Sequence, residues 1–371
     1  MLNLKELIET TRVYYCLDCG KCTTSCPVAI RDENFSPRRL VAAGIFDPLD
    51  EILQQKFLWF CLTCNTCTQR CPSDVKFIDF VKGLRILGQK SYQSEKNMKC
   101  THGGTIQTWI KIMTLPDLKQ NRLNWINSDL KYTTKQGDYL YFTGCLPYYN
   151  AYFKYLNTDF TSIGNNTIKI LNKLGITPVL LDNERCCGHD LLWSGYIDDF
   201  NKLKDLNIEF ILNSNAKTII TTCPECTRTL KLDYKELNKI KVVHITQLID
   251  EKIKNKEIQL NLPKEEISKI IYHDPCRLSQ HLNIKDEPRQ ILGNIMEFNK
   301  EQCCGTSLWI NCTRISKEIQ RDRLKESQNK GASTLITACP KCQIHFKCAS
   351  INEDKINLEI KDIVDFISKF I

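Results

Sequence analysis

The sequence predicts an α/β protein in which a helical N-terminal domain precedes two repeated α/β domains. Three observations support this prediction. Short apolar runs alternate with segments of helical periodicity over residues 138–255 and 265–371, a pattern typical of a parallel sheet covered by helices. Five cysteines recur in the same order in these two regions. Residues 1–95, by contrast, contain no convincing strand pattern.

We expect a helical domain at 1–95, a connector at 96–137, and two cysteine-rich domains at 138–255 and 265–371. The stretch EKIKNKEIQLNLPKEE between the two repeats is highly charged and contains a proline, which predicts a linker or an exposed helix end. A chain of 371 residues can bury ordinary hydrophobic cores without help from disulfides.

The elements follow from periodicity. In the first domain, helices are predicted over NLKELIETT, SPRRLVAAGIFDPLDEILQQKFLWF and DVKFIDFVKGLRILGQK. In the first repeat, strands are predicted over DYLYFTG, TPVLL, KTIITT and KVVHI, and a helix over residues 197–213. Because parallel sheets bind ligands at the C-terminal ends of their strands, the cysteines that follow these strands predict a ligand site.

Composition narrows the class of protein. Hydrophobic content of 42% and charged content of 25% are typical of globular proteins. No apolar run approaches the length of a membrane span, and the N-terminus lacks signal-peptide features, so we expect a cytoplasmic location. In that reducing compartment 21 cysteines indicate metal or redox chemistry. The net charge of +8 is spread along the chain, which suits solubility or docking to an acidic partner and does not indicate nucleic-acid binding.

Two cysteine runs, Cys16 to Cys26 and Cys61 to Cys71, match the C-x2-C-x2-C-x3-C-P spacing of bacterial two-cluster ferredoxins. Three thiolates of each run can wrap one face of a cubane cluster, while the fourth is turned away by proline and binds the other cluster. Two zinc knuckles are the alternative, but an evenly spaced triad suits zinc poorly. We therefore predict two [4Fe-4S] clusters, one held by Cys16, Cys19, Cys22 and Cys71, the other by Cys61, Cys64, Cys67 and Cys26.

A five-cysteine pattern then occurs twice: a single cysteine after an apolar run, a Cys-Cys-Gly, and a Cys-Pro-x-Cys. Five thiols exceed the ligand number of one zinc ion or one cubane cluster, and Gly188 and Gly305 would let the backbone approach a cluster closely. A structural zinc site with one spare thiol is the alternative for either repeat. The two sets are Cys145, Cys186, Cys187, Cys223 and Cys226, and Cys276, Cys303, Cys304, Cys339 and Cys342.

Two ferredoxin-type runs followed by two such sets resemble the heterodisulfide reductase family, in its D-type iron-sulfur form, which fuses the ferredoxin-like and catalytic parts. The resemblance extends from Cys16 to Cys342 and includes CCGHDLLWSG and HDPCRLSQH. It implies two cysteine-rich (CCG) domains, each with five cysteines around a noncubane [4Fe-4S] cluster. It also implies that a disulfide is split in steps of one electron. Similar repeats occur in iron-sulfur subunits of glycolate, lactate, glycerol-3-phosphate and some succinate dehydrogenases.

The resemblance thus implies an iron-sulfur oxidoreductase subunit that passes electrons through two [4Fe-4S] clusters to noncubane clusters, which reduce or form a disulfide of thiol cofactors. The alternative is a non-catalytic electron-transfer subunit of a flavin-dependent dehydrogenase that delivers electrons to quinone. The sequence carries no flavin, nucleotide or haem motif. We therefore expect a flavoprotein, or a membrane cytochrome b or quinone-linked subunit, as the electron partner. Such a partner could place this chain at the inner face of the membrane.

Two histidines, His189 and His273, are candidate catalytic residues, because imidazole titrates near neutrality and can give a proton to a leaving thiolate. A histidine hydrogen-bonded to a loop backbone is the plainer interpretation. Three arginines beside cluster cysteines suit either an anionic substrate or compensation of cluster charge. They are Arg185, Arg228 and Arg277.

The two repeats differ in spacing, with 40 residues between Cys145 and Cys186 but 26 between Cys276 and Cys303. The second repeat is therefore expected to lack a strand before its Cys-Cys-Gly. Two tryptophans at matching places in the repeats are predicted to pack in the core, and three cysteines fall outside every set. These residues are Trp193 and Trp309, and Cys100, Cys312 and Cys348.

Overall fold

The computed structural model describes residues 3–90, 98–310, 312–352 and 356–371. The backbone packs as two compact units. The N-terminal unit comprises Met1–Ile112, Gly188–Asn201 and Gln302–Ile319, and the repeat unit comprises Met113–Cys187, Lys202–Glu301 and Gln320–Ile371. The predicted boundary between the first domain and the connector, at residues 95 and 96, lies outside the described residues. The domain boundaries given above stay predictions.

Helices are the main elements of the described residues 3–90 and 98–112 of the N-terminal unit, as the periodicity predicts. They are α1 (Leu4–Thr11), α2 (Lys21–Ser25), α3 (Pro37–Phe46), α4 (Leu49–Gln54), α5 (Thr66–Gln69), α6 (Phe77–Lys90) and α7 (Thr105–Ile112), with 3-10 helices at Val13–Tyr15, Lys56–Trp59 and His102–Gly104. Side chains that accept from backbone N–H groups begin two of them: Asn3 for α1 and Ser36 for α3. The predicted helical domain is thereby confirmed.

The first repeat contains a parallel three-stranded sheet in the order β1-β2-β3, with Leu140 opposite Ile219 and Ile219 opposite Val242. The helix predicted over residues 197–213 is confirmed with those limits. In chain order the elements are β1 (Tyr139–Phe142), α8 (Leu146–Tyr152), α9 (Thr161–Lys173), α10 (His189–Trp193), α11 (Ile197–Asn213), β2 (Thr218–Thr221), α12 (Pro224–Leu232), β3 (Lys241–His244) and α13 (Ile245–Lys254).

The second repeat has the same topology, a parallel sheet in the order β4-β5-β6. Its elements are α14 (Lys264–Ile267), β4 (Ile270–His273), α15 (Cys276–Ser279), α16 (Asp286–Leu292), α17 (Arg314–Asn329), β5 (Thr334–Thr337), α18 (Pro340–Asn352), β6 (Glu359–Asp362) and α19 (Ile363–Ile367). The predicted linker corresponds to the irregular residues 255–263 between α13 and α14. The α/β prediction for both repeats is therefore confirmed.

Each repeat packs its last helix on the other repeat. Helix α13 of the first repeat contacts α16 of the second, and α19 of the second contacts α9 of the first. Asp365 on α19 accepts hydrogen bonds from Ser162 and Asn166 on α9, both at 2.8 Å. The two repeats therefore pack against each other within the repeat unit.

The strand predicted over TPVLL is wrong in extent. Only Val179 pairs with β1: its N–H donates to Tyr139 O at 2.7 Å and its carbonyl accepts from Tyr141 N at 2.9 Å. The neighbouring residues face Thr133 instead, since Thr133 N donates to Pro178 O at 3.0 Å and Leu180 N donates to Thr133 O at 2.8 Å. In the second repeat Met296 makes the matching single bridge to β4, through Met296 N and Ile270 O at 2.8 Å. Among the described residues the second repeat thus lacks a strand between Cys276 and its Cys-Cys-Gly, as expected from its spacing, and the first repeat also has only a single bridge to β1 at this point.

Within the described ranges, no helix combines the length and the apolar character needed to cross a lipid bilayer.

Candidate metal centres

In the N-terminal unit, four cysteines predicted to share one cluster line one cavity: Cys16, Cys19, Cys22 and Cys71. Cys67 also borders it. Gly20, with φ of 75°, turns the chain between Cys19 and α2, a left-handed conformation that costs glycine little. Cys71 comes from the other run, just after α5, as the proline in its motif predicts.

The other predicted set, Cys26, Cys61, Cys64 and Cys67, lines a second cavity, walled by apolar side chains that include Phe35 and Phe77. All four thiols are buried. Burial, followed by the neighbouring Cys61 and Cys64, raises the pKa of Cys67 well above its usual value. Four sulfur donors around one cavity are the donor set of a [4Fe-4S] cluster, so the residues present fit that group.

In the repeat unit, all five thiols of the first set form one continuous group. Cys145 Sγ lies 3.7 Å from Cys186 Sγ, Cys187 is hydrogen-bonded to Cys186 and Cys226, and Cys226 to Cys223. Hydrogen bonds from the Cys186 and Cys226 thiols lower the pKa of Cys187, whereas the pKa of Cys226 is raised well above its usual value by its hydrogen bonds to Cys187 and Cys223 and by burial. The donor chemistry again suits an iron-sulfur cluster.

Strand ends and helix starts place these thiols. Cys145 follows β1 and precedes α8, Cys223 caps α12 after β2, and Cys226 lies in the first turn of α12. Gly144 has φ of 64°, and a Cβ on it would lie 3.0 Å from Cys226 Sγ. The sequence analysis missed this glycine, although its position directly before Cys145 was a visible signal. The close approach expected of Gly305 is made to the backbone carbonyl of Ser316.

The second set is divided between the units. Cys276, Cys339 and Cys342 belong to the repeat unit, where Cys342 N donates to Cys339 Sγ at 3.5 Å. Cys303 and Cys304 belong to the N-terminal unit, where Gly305 N donates to Cys303 Sγ at 3.5 Å. All of these except Cys276 are buried. The joint role of the second set stays a prediction.

A buried ion pair supports the loops of the first set. Arg122 and Glu184 side chains are 1% and 0% exposed, and Arg122 Nη2 donates to Glu184 Oε1. Glu184 also accepts from Thr143 N at 3.0 Å and from Gly144 N at 2.8 Å. The pair therefore ties the segment before Cys145 to the segment before Cys186. No sequence signal singled out Arg122, which lies 62 residues from Glu184.

A second buried pair joins the two Cys-Pro-x-Cys motifs, which carry Glu225 and Lys341 as their variable residues. Lys341 Nζ lies 2.8 Å from Glu225 Oε2, and both side chains are largely buried. The two motifs therefore contact each other inside the repeat unit.

The candidate catalytic histidines are both buried. In the N-terminal unit His189 Nδ1 lies 3.0 Å from Asp190 Oδ1. In the repeat unit the His273 ring packs edge-on against Phe346 at 4.8 Å, and one of its nitrogens lies within 4.8 Å of Cys342 Sγ. Their catalytic role stays a prediction.

The three flanking arginines have protein partners. Arg185 Nη2 donates to the carbonyls of Leu115, Pro116 and Leu118, and Arg228 pairs with Asp233. Arg277 Nη1 lies 2.8 Å from His281 Nε2 and 3.9 Å from Cys276 Sγ. Arg277 therefore contacts a cysteine of the second set.

Both tryptophans are buried, as predicted, and both belong to the N-terminal unit. Arg85 on α6 donates to the carbonyls of Trp193 and Cys61, at 3.1 and 2.9 Å. Gln107 on α7 donates to the carbonyl of Trp309 at 3.0 Å. The segments after each Cys-Cys-Gly are therefore held by the helices of the N-terminal unit.

The chain matches the models of two known protein families. Residues 12–75 match a 4Fe-4S dicluster domain, and residues 139–231 and 270–347 each match a cysteine-rich domain. These matches cover the two ferredoxin-type runs and both five-cysteine sets.

Three relatives are similar to this chain in sequence. An uncharacterized iron-sulfur protein of Methanococcus maripaludis is 26% identical over 92% of this chain and 69% of its own length. The D-type subunit of dihydromethanophenazine:CoB--CoM heterodisulfide reductase from Methanosarcina barkeri is 31% identical over 68% of this chain, and the chain spans only 63% of that relative's length. A subunit of anaerobic glycerol-3-phosphate dehydrogenase from Escherichia coli is 26% identical over 88% of this chain and 92% of its own.

Among solved structures, a hypothetical protein from Helicobacter pylori matches with a TM-score of 0.54 and 13% identity, over 100% of this chain and 77% of that one. This likeness supports the fold alone.

Proposed function

We propose that this chain reduces or forms a disulfide of thiol cofactors. It belongs to the family of iron-sulfur proteins that join a 4Fe-4S dicluster domain to two cysteine-rich domains. That family includes the D-type subunit of heterodisulfide reductase. Reduction consumes two electrons and two protons, breaks the S–S bond and releases two thiols. Formation of the disulfide is the reverse. The chain would act within a complex, since the named relatives are subunits.

The observation that carries this proposal is the group of five contiguous thiols in the first repeat. One zinc ion or one cubane cluster is saturated by four thiolates, and the fifth thiol lies within the same group. The second repeat carries a complete set in its sequence. Two complete sets favour disulfide chemistry, which needs two electrons delivered one at a time.

The cluster ligands that we propose are the cysteine sets predicted from the sequence. Two [4Fe-4S] clusters would be held in the N-terminal unit, and a noncubane [4Fe-4S] cluster by each five-cysteine set, with zinc in one repeat as the alternative. When bound, these clusters supply one-electron transfer to and from the substrate. The chain's own contribution is to bury the thiols, fix them at strand ends and exclude water. His189 and His273 are the candidate proton donors.

The electron partner would be a flavoprotein or a membrane cytochrome b or quinone-linked subunit, and the substrate a small disulfide or thiol. The chain would then act in the cytoplasm or, through its partner, at the inner face of the membrane. Neither the sequence nor the site favours nucleic acid.

A second candidate function is electron transfer from a flavin-dependent dehydrogenase to quinone without disulfide chemistry. The relative that favours it is the glycerol-3-phosphate dehydrogenase subunit, which aligns over nearly its whole length. Co-purification with a flavoprotein that oxidises a hydroxy acid or glycerol 3-phosphate would support this candidate.

The test is disulfide reduction by the anaerobically purified, cluster-loaded chain, with reduced methyl viologen as donor and the CoB–CoM heterodisulfide as substrate. We expect viologen oxidation that depends on the disulfide, lost in Cys187→Ser and kept in the matched control Cys348→Ser, whose thiol lies outside every set. Wild-type protein whose clusters are reduced by viologen but do not pass electrons to the disulfide would contradict the proposal and favour the second candidate.

A further inference from the structure

The two cysteine sets of the N-terminal unit differ sharply in exposure. Cys26, Cys61, Cys64 and Cys67 are all buried. In the other set Cys19 is exposed, and Cys16, Cys22 and Cys71 are partly exposed. Because electron transfer between proteins falls steeply with distance, a partner must approach the redox centre that lies nearest the surface. The set of Cys16, Cys19, Cys22 and Cys71 meets that condition.

Large apolar side chains surround this exposed set. Tyr14, Tyr15 and Leu17 flank Cys16 in the chain and are 60%, 63% and 70% exposed. Arg12 lies over the Tyr15 ring, 5.2 Å from its centroid. Exposed aromatic residues next to arginine are typical of the centre of a protein interface. We call the exposed residues Tyr14, Tyr15, Leu17, Cys19 and Lys21 the Tyr14 face.

The rim of the Tyr14 face is basic. The cavity at the exposed cysteines is lined by Lys21 and Arg38 and by no carboxylate. Segments 12–22 and 70–76 together with Arg38 carry five basic residues and two acidic ones, Asp18 and Asp74. Those two carboxylates already pair with Arg38 and Arg12, at 2.9 and 3.4 Å. Within the described part of the chain, no carboxylate pairs with the exposed Lys21 or Lys76.

We propose that the Tyr14 face is the docking surface for an acidic redox protein, which exchanges electrons with the cluster held by Cys16, Cys19, Cys22 and Cys71. Apolar contact with Tyr14, Tyr15 and Leu17 would close the interface, and the basic rim would steer an acidic partner into place. The buried set would then be the next centre along the chain. This inference rests on the proposed electron-transfer function and assigns one of its partners by surface chemistry.

The test uses the full, cluster-loaded chain and reduced flavodoxin, a small acidic flavoprotein, as the probe donor. Stopped-flow bleaching of the clusters gives a second-order rate as a function of salt. We expect the double variant Lys21→Glu/Lys76→Glu to lower this rate about tenfold at low salt, with the difference shrinking at high salt as charges are screened. Leu17→Ser should lower the rate at every salt concentration.

The matched control is the double variant Lys5→Glu/Lys56→Glu, which makes the same charge change at two exposed lysines of the same unit, outside segments 12–22 and 70–76. Its rate should stay within about twofold of the wild type. Equal iron content in all variants confirms that each folds and binds its clusters. Equal flavodoxin rates for the Tyr14-face variant and the control would overturn the proposal. A wild-type rate that rises with salt would also overturn it, in favour of an apolar partner.

Reduced methyl viologen separates this proposal from the function on which it rests. As a small donor it needs no docking surface, so it should reduce the clusters of every variant at an undiminished rate. Failure of viologen to reduce the wild-type clusters would contradict the electron-transfer function itself. If viologen reduces the clusters normally but the Lys→Glu substitutions leave the rate of reduction by flavodoxin unchanged, only the docking surface is contradicted.

Discussion

At the scale of single residues, cysteine spacing carries most of the information about the site. The C-x2-C-x2-C-x3-C-P runs predicted that Cys26 and Cys71 each join the other run, and the cavities in the N-terminal unit are lined accordingly. The spacing predicts the ligand sets because three of the four ligands of each predicted cluster lie within seven residues of one another in the sequence. Supporting residues are not local: Arg122 meets Glu184 across 62 residues, and no pattern in the sequence connects them.

The buried pair gives a stability prediction. Arg122→Met would leave the Glu184 carboxylate buried without its counter-charge, so we expect a loss of about 3–5 kcal/mol in the free energy of unfolding. Urea unfolding under anaerobic conditions measures it. The double variant Arg122→Met/Glu184→Gln removes the uncompensated charge and should lose less than the single variant. Equal losses would show that the packing of Arg122, and not its charge, stabilises these loops.

At the scale of elements, continuous apolar runs predicted the strands β1, β2 and β3, in each of which the last three residues are buried, and helical periodicity predicted α11. Helix α11 has the predicted limits, and β1, β2 and β3 lie within the predicted apolar runs. Residues 177–181 also form an apolar run but pair with β1 at Val179 alone, while Pro178 and Leu180 hydrogen-bond to Thr133. Composition could not distinguish a bridge of one residue from a strand.

Helix α13 provides a pH prediction. His244 caps this helix, accepting from Thr246 N at 3.3 Å, and burial lowers its pKa to about 4. Since the unfolded chain takes up a proton near pH 6.5 and the folded chain does not, stability is lost as the pH falls below 6.5. We expect His244 to lower the free energy of unfolding by about 2 kcal/mol between pH 7.5 and pH 5.

His244→Asn keeps a capping side chain without a titrating group, so the variant should lose about 2 kcal/mol less than the wild type over that interval. Parallel urea titrations at the two pH values measure the difference. The same pH dependence in both proteins would show that His244 is not the group responsible.

The turn between α10 and α11 gives a second prediction for an element. Gly195 has φ of 89°, and a Cβ there would lie 2.4 Å from the carbonyl oxygen of Arg85 on α6. Gly175 has φ of 74° with open space around it, so Gly175→Ala measures the left-handed conformation alone. We expect the free energy of unfolding to fall by about 1–2 kcal/mol for Gly175→Ala and by at least about 3 kcal/mol for Gly195→Ala. Similar losses in thermal unfolding would contradict the close packing of this turn on α6.

At the scale of the whole molecule, the repeat was visible in the sequence but the composition of the two units was not. Gly188–Asn201 and Gln302–Ile319, the segments around and after each Cys-Cys-Gly, belong to the N-terminal unit. Arg85 and Gln107 hold them through backbone carbonyls, which any residue type offers, so the sequence carries no signal of the contact. The Glu225–Lys341 pair between the repeats was hidden for a similar reason, since each residue alone is ordinary.

The segment that follows Cys187 is held inside the N-terminal unit. The chain passes directly from Cys187 in the repeat unit to Gly188 in the N-terminal unit. Arg85 then joins the following helix, through Trp193, to the loop that carries Cys61. Both hydrogen bonds lie within the N-terminal unit, where one arginine holds the segment after Cys187 and the loop of Cys61.

The central claim, that both five-cysteine sets hold iron-sulfur clusters in addition to the two of the N-terminal unit, is tested most directly by metal analysis. Iron, acid-labile sulfide and zinc would be measured in the chain purified without oxygen. We predict about sixteen irons per chain, with matching sulfide and no zinc. About eight irons with one or two zinc ions would contradict the claim, leaving the repeats as structural zinc sites behind a two-cluster electron carrier.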